Sequence, residues 1–281
     1  MNFHREPATF VGQVNLKVQD LERSISFYKE VIGFTVLNQS ERKASLTADG
    51  KTVLLTIEQP EAAGPKQPRT TGLYHFALLL PNRSDLASIV GHFMKIGQRI
   101  GSSDHLVSEA LYLSDPDGNG IEIYIDRDPS EWTWSGAEVA MTVDPLDFAD
   151  LLSGGVAPWE GLPAETVMGH IHLHVAELRK VEEFYTKGLG FEVVNRFGSQ
   201  ALFISTAKYH HHIGLNTWNG VGAPRPDRNS PGLKSYTLVL PTEESRTAVV
   251  GNLKAIGADV TEENGTYATE DPSGNRIILV V

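Results

Sequence analysis

His170-Ile171-His172-Leu173-His174-Val175-Ala176-Glu177-Leu178, followed by Phe184-Tyr185 and Gly190-Phe191, has an echo earlier in the chain. There the order is Gln13-Val14-Asn15-Leu16-Lys17-Val18-Gln19-Asp20-Leu21, then Phe27-Tyr28 and Gly33-Phe34. Phe27 to Phe184 and Gly33 to Gly190 are separated by the same 157 residues, so the two stretches align without a gap. Such self-similarity is the mark of a repeated structural unit.

A second pair of stretches extends the pattern. Leu73-Tyr74-His75-Phe76-Ala77-Leu78-Leu79-Leu80-Pro81 parallels Leu233-Lys234-Ser235-Tyr236-Thr237-Leu238-Val239-Leu240-Pro241. Each is followed by a helical run ending at Ile96-Gly97 or Ile256-Gly257. Each then closes on Asp-Pro-x-Gly-Asn, Asp115 to Asn119 and Asp271 to Asn275, before a short apolar strand. The chain therefore divides into four modules of about 50 residues. Modules one and two span 10–127, a connector spans 128–167, and modules three and four span 168–281.

Each module reads βαβββ. In the first, alternating Val14, Leu16 and Val18 give a strand, and Ile25, Tyr28 and Ile32 share one helix face. Gly33 or Gly190 ends that helix, since glycine accepts positive φ. Strands are expected over Thr35 to Gln39, Lys43 to Ala48 and Thr52 to Glu58. One such unit has too few strands to close on itself. The expected architecture is α+β, with the four modules paired into two curved mixed-sheet cups and the helices outside. Pro60 to Thr71 reads as a loop. The connector holds Trp132, Trp134 and a helical run from Leu146 to Leu152, and its apolar content implies a segment packed on the modules.

Composition limits the function. Among 281 residues, 24 Lys and Arg stand against 35 Asp and Glu, a net charge of −11. This balance argues against a nucleic-acid or anionic-membrane partner, which need clustered positive charge. The absence of cysteine excludes disulfides, thiolate metal sites and a cysteine nucleophile. No apolar run is long enough to span a membrane. Met1 to Pro7 lacks the basic start and apolar stretch of a signal peptide, so a cytoplasmic setting is expected.

Histidines carry the chemical signal. Register places Gln13, His75, His170 and Ser235 at one position of the four first strands. In the final strands Glu122 of module two corresponds to Ile278 of module four. On its own Glu122 fits a solvated strand face, and His75 fits a satisfied core residue. Together, two histidines and a carboxylate at matching strand positions form the ligand set that leaves coordination positions open on Fe(II). His170, His172 and His174 share a strand face. One ion does not take both His170 and His174, because alternate residues lie roughly 6.5 Å apart. Register favours His170, with His172 next. His4 and His92 have no such context and are expected at the surface.

The βαβββ modules, with Phe-Tyr-x4-Gly-Phe after the first helix, resemble the vicinal oxygen chelate superfamily. It includes glyoxalase I, bleomycin-resistance proteins and extradiol ring-cleaving dioxygenases. A second motif is similar to the extradiol signature: His105, five residues, Leu111-Tyr112, two residues, Asp115-Pro116-Asp117-Gly118, three residues, Glu122. Ser103 departs from the residues usual at that position. The chain thus most resembles the catechol 2,3-dioxygenases.

The resemblance implies a metal held by His75, His170 and Glu122: Fe(II), with Mn, Ni or Zn as alternatives. It implies that His105 and Tyr112 hydrogen-bond the substrate oxygens. It makes His211, within His210-His211-His212-Ile213-Gly214-Leu215, the candidate base, whereas strand parity would bring His212 to the cup. The implied partners are a small catechol and O2, and the product a 2-hydroxymuconic semialdehyde type. Because two ligands belong to module two and one to module three, the metal cup is expected between those modules. Open strand edges are compatible with a homo-oligomer. The alternatives are a glyoxalase-type metal-dependent isomerase or lyase, and a metal-free small-molecule binding protein of the resistance type.

Overall fold

A computed structural model describes residues 3–263 and 265–281. Met1, at the start of the stretch read for a signal peptide, lies with Asn2 outside them. The first module runs β1 (Phe10–Lys17), α1 (Leu21–Phe27), β2 (Thr35–Gln39), β3 (Lys43–Thr47) and β4 (Leu55–Glu58). The second runs β5 (Gly72–Leu79), α2 (Arg83–Ile96), β6 (Gly101–Asp104), β7 (Ser108–Ser114) and β8 (Gly120–Asp126). A connector holds the two-residue strands β9 (Trp134–Ser135) and β10 (Glu138–Val139) and the helix α3 (Phe148–Leu152). The third module is β11 (Val167–His174), α4 (Leu178–Glu183), β12 (Glu192–Phe197), β13 (Ala201–Ser205) and β14 (Ile213–Asn216). The fourth is β15 (Gly232–Val239), α5 (Glu243–Ala255), β16 (Val260–Glu263), β17 (Thr266–Glu270) and β18 (Arg276–Val280).

Two eight-stranded sheets form, in the order β16-β17-β18-β15-β1-β4-β3-β2 and β12-β13-β14-β11-β5-β8-β7-β6. Each is mixed. The first strands of two modules pair antiparallel at the centre, and each pairs parallel with the last strand of its own module. One sheet thus joins modules one and four, and the other joins modules two and three. This is the α+β fold of paired modules, with the helices outside.

Alternation sorts the side chains. From β8, Ile121, Ile123 and Ile125 enter the main core, as do Met168, Ile171 and Leu173 of β11. Helix α2 buries Leu86, Ile89, Val90 and Phe93 against them, an i, i+3, i+4, i+7 stripe, and stops at Gly97 with φ 69°. The opposite faces of β5, β8 and β11 are left to line the inside of the cup.

The Phe-Tyr and Asp-Pro-x-Gly-Asn motifs meet in space. Tyr28 donates its hydroxyl to the Asp115 carboxylate at 2.9 Å, tying module one to the turn of module two. Asp115 also accepts from the backbone of Asp117 and Asn119 and the amide of Asn119. The second half repeats this with Tyr185 and Asp271. Burial raises the pKa of Asp115 and Asp271.

Several local expectations are corrected. The helices of modules one and three finish as π turns, Tyr28–Ile32 and Phe184–Gly188. The strand expected from Thr52 begins at Leu55, because Asp49 gathers the Lys51 and Thr52 N–H groups and the Thr47 and Thr52 hydroxyls into a turn. The connector helix begins at Phe148, capped by Asp147. His4 is not at the surface: its Nε2 contacts the Gly169 carbonyl at 2.7 Å and its ring packs on Tyr209 and His212. His92 is half-buried with Nε2 3.0 Å from the Glu30 carbonyl. Among the described residues no helix is long and apolar enough to cross a membrane.

Candidate metal centre and active site

Three adjacent strands build the centre. In β5 and β8, Ala77 pairs with Glu122; in β5 and β11, Ala77 pairs with His170 and His75 with His172. Ala77 therefore sits between a histidine and a glutamate on one face. Its single methyl leaves the space in which both longer side chains converge. Oε2 of Glu122 lies 3.0 Å from Nε2 of His75 and 3.1 Å from Nε2 of His170. All three side chains are buried.

Electrostatics act strongly on Glu122 and His170. Burial works against the charge on Glu122, but His170 and then His75 outweigh it and hold its carboxyl well below the usual range. Burial pushes His170 down to about 4, so its imidazole is neutral near pH 7. The contact to His170 has hydrogen-bond geometry. The contact to His75 is close in distance, but Nε2 of His75 is buried with no hydrogen-bond partner. An unpaired buried polar atom costs about 1–3 kcal/mol. A divalent cation would give it a partner: two imidazole nitrogens and one carboxylate oxygen lie within 4.8 Å of one another. Separations near 3 Å are those of neighbouring ligands held at about 2.1 Å from one ion. Among the described residues His75, Glu122 and His170 form the group of this kind.

His172 shares their face but stands outside the triad. It is buried among Tyr74, His75, Phe203 and Trp218, with Nε2 unpaired. Burial holds it well below its ordinary pKa. Gly214 lies beneath its ring, where an added Cβ would come within 2.7 Å. His174 faces Asn216 at 2.8 Å instead.

A cavity of about 340 Å³ opens over His75 and Glu122 of the triad. Glu122 is the one charged side chain among the described residues that line it. Tyr112 and His105 form one wall. Nδ1 of His105 is 2.6 Å from the Thr142 carbonyl, so that nitrogen carries a hydrogen. In the neutral ring Nε2 then accepts, and it meets the Tyr112 hydroxyl at 2.6 Å. His105 thus acts on the cavity through Tyr112 rather than donating into it. Burial, then the Glu122 charge, raises the Tyr112 pKa well above 10, so its hydroxyl keeps its proton.

His211 forms the facing wall, its ring 4.2 Å from that of His170. The structure does not bring His212 there. Its Nε2 donates to the Phe3 carbonyl and its Nδ1 faces Ser205 and Thr206. The parity argument fails because β14 begins at Ile213, and residues 206–212 form an irregular loop with positive φ at Ala207 and Lys208. Residue by residue alternation has no meaning there.

The connector packs on the modules, as its apolar content implied, and neither of its tryptophans lines the cavity. Trp132 is buried against Phe3 and Tyr209, and Trp134 packs on that cluster. The connector reaches the cavity through Met141, Thr142 and Val143, while Tyr74, Phe197, Phe203 and Trp218 supply its aromatic lining. No spacing signal pointed to Trp218.

The sister cup lacks these features. Where the centre has His170, His172 and His75, it has Gln13, Asn15 and Ser235. Gln13 donates to Asn15 and Thr56, and Asn15 donates to Ser235. This network is neutral and closed on itself, with no nitrogen left for a cation.

The sequence profile of the Glyoxalase/Bleomycin resistance protein/Dioxygenase superfamily matches residues 11–123 and again 167–279. The chain belongs to that superfamily. Within it, Catechol-2,3-dioxygenase of Bacillus subtilis (strain 168) is 46% identical over 278 residues, covering 97% of this chain and 98% of that protein. Biphenyl-2,3-diol 1,2-dioxygenase 3 of Rhodococcus globerulus is 27% identical over 164 residues, 53% of this chain and 83% of that protein. Among solved structures, a putative dioxygenase from Bacillus subtilis superposes with TM-score 0.68 at 14% identity, covering 97% of this chain and 84% of that one. Glyoxalase I from Zea mays gives 0.57 at 17%, covering 97% and 92%. At such identities these structures speak for the superfamily fold alone.

Proposed function

We propose that the chain is an extradiol dioxygenase, an oxidoreductase that holds Fe(II) through His75, His170 and Glu122. Its reaction opens the ring of an uncharged catechol beside the diol with O2, giving a 2-hydroxymuconic semialdehyde-type product. The observation that carries the reading is the buried 2-His-1-carboxylate cluster at the floor of an aromatic cavity. The near full-length similarity to a catechol-2,3-dioxygenase supports it.

Bound there, Fe(II) would supply a Lewis acid with open positions for the two adjacent catechol oxygens and for O2. The side chains do the rest. Tyr74, Phe203 and Trp218 give the ring apolar contact and exclude water. His211, neutral because burial holds it well below its ordinary pKa, accepts a diol proton at Nε2 and returns it after ring opening. Tyr112, oriented by His105 and Thr142, places its hydroxyl against a substrate oxygen. Both atoms of O2 enter the product, so no outside reductant is required.

The test is anaerobic loading with Fe(II), then catechol and air. The reading expects one O2 consumed per catechol and a yellow ring-fission product. Absence of O2 uptake in iron-loaded protein overturns it. Turnover of a hemithioacetal with Ni(II) or Zn(II) would favour the glyoxalase-type reading. That reading is less well served by three protein ligands.

A further inference from the structure

Asp126 and His210 have no part in the chemistry above, yet they end on His211. Strand β8 presents Glu122, Tyr124 and Asp126 on one face, so the strand that supplies the candidate carboxylate ligand also supplies Asp126 two turns of alternation later. Oδ1 of Asp126 accepts from Nε2 of the fully buried His210 at 2.8 Å and from the Tyr209 hydroxyl at 3.1 Å. Nδ1 of His210 lies 2.8 Å from Nδ1 of His211. Among the described residues no hydrogen bond engages Nε2 of His211, and His211 lines the cavity.

Proton counting orders this chain. An ionised carboxylate only accepts, so His210 carries its hydrogen on Nε2. A neutral His210 then has a bare Nδ1. The 2.8 Å contact between the two Nδ1 atoms needs one proton, and His211 must provide it. The opposite tautomer of His211 would set two lone pairs against each other in a buried site.

We propose that Asp126 and His210 are positioning residues that lock the proton of His211 on Nδ1 and keep its Nε2 bare toward the cavity. When a donor there gives up a proton, it forms one N–H bond at Nε2 of His211. The Nδ1–H bond to His210 and the Nε2–H bond to Asp126 stay in place, and the proton leaves by the same atom. That the donor is a catechol hydroxyl rests on the extradiol reading; the tautomer does not.

The test labels histidine with ¹⁵N in the full chain loaded with diamagnetic Zn(II) and reads tautomers from long-range ¹H–¹⁵N spectra. The expected wild-type pattern is Nδ1–H for His211 and Nε2–H for His210. Asp126→Ala is expected to mix the His211 tautomers. In the iron-loaded form it lowers kcat at least about tenfold, part of the 10²–10⁴ that a general base supplies. The KM for catechol and the iron content stay within about twofold. Asp126→Asn keeps an oxygen for both donors and is expected to rescue tautomer and kcat together. Nε2–H on His211 in the wild type overturns the proposal, whatever the variants do. So does an Asp126→Ala protein with an unchanged tautomer or kcat. Wild-type protein that turns over no catechol would instead defeat the extradiol reading and leave the tautomer result standing.

Discussion

Nε2 of His75 stands 3.0 Å from Oε2 of Glu122 without hydrogen bonding to it. That geometry suits the proposed role of the pair as two ligands of one ion better than that of a donor and an acceptor. Glu122→Ala should therefore lower iron affinity by more than about 100-fold, beyond the 10–100-fold typical of losing an outer-sphere partner. His170→Ala should do the same. His211→Ala should keep its iron and turn over slowly. Metal analysis after dialysis, beside kcat, separates the two classes; full iron in Glu122→Ala would refute the ligand assignment.

Metal-free protein should lose stability as pH falls. His170 is about 6.5 when unfolded and about 4 when folded, so between those values the unfolded chain binds more protons and stability rises with pH. The difference is on the order of 3 kcal/mol, present above pH 6.5 and lost as pH drops toward 4. Glu122, also depressed, acts in the same direction at lower pH, its stabilisation present above its unfolded value near 4.3 and lost through its folded value. Urea midpoints in a chelator at pH 7 and pH 5 check this; equal midpoints would contradict it.

Gly214→Ala should disturb the cavity without touching the triad. Its Cβ would come 2.7 Å from the His172 ring, which is boxed in by Tyr74, Phe203 and Trp218. Overpacking of this kind costs about 1–3 kcal/mol. A lower melting temperature with raised KM and retained iron is the expected result.

Charge should govern substrate choice. With Glu122 the one charged side chain along the described cavity wall, a carboxylate on the ring finds no cation there. Kinetics of 3,4-dihydroxybenzoate against 4-methylcatechol should show kcat/KM at least about tenfold lower for the acid, a gap of about 1.4 kcal/mol. Equal values would argue for an anion site at this cavity.

Tyr28→Phe should loosen the tie between the two sheets. It removes one of the hydrogen bonds to Asp115 and leaves the backbone donors in place. A loss of about 1–2 kcal/mol in denaturant unfolding is expected, with metal content unchanged. An unaltered stability would mean that the turn holds by itself.

The sequence by itself determined the modules, their strand–helix order and the kind of chemistry. Repeats and alternation survive in one dimension because they reflect local geometry, and so Glu122 stood out between Ile121 and Ile123. Short elements were less legible: the Asp49 turn and the π turns depend on side-chain hydrogen bonds that periodicity does not encode. His4 lies against Gly169, and Asp126 lies against His210, across 165 and 84 residues. Only the tertiary structure decided which histidine nitrogens converge, that Ala77 leaves room between His170 and Glu122, and that His212 turns toward the N-terminal segment. Alternation gives the side of a strand a residue takes. Distance and direction between side chains arise when separate strands are brought into register.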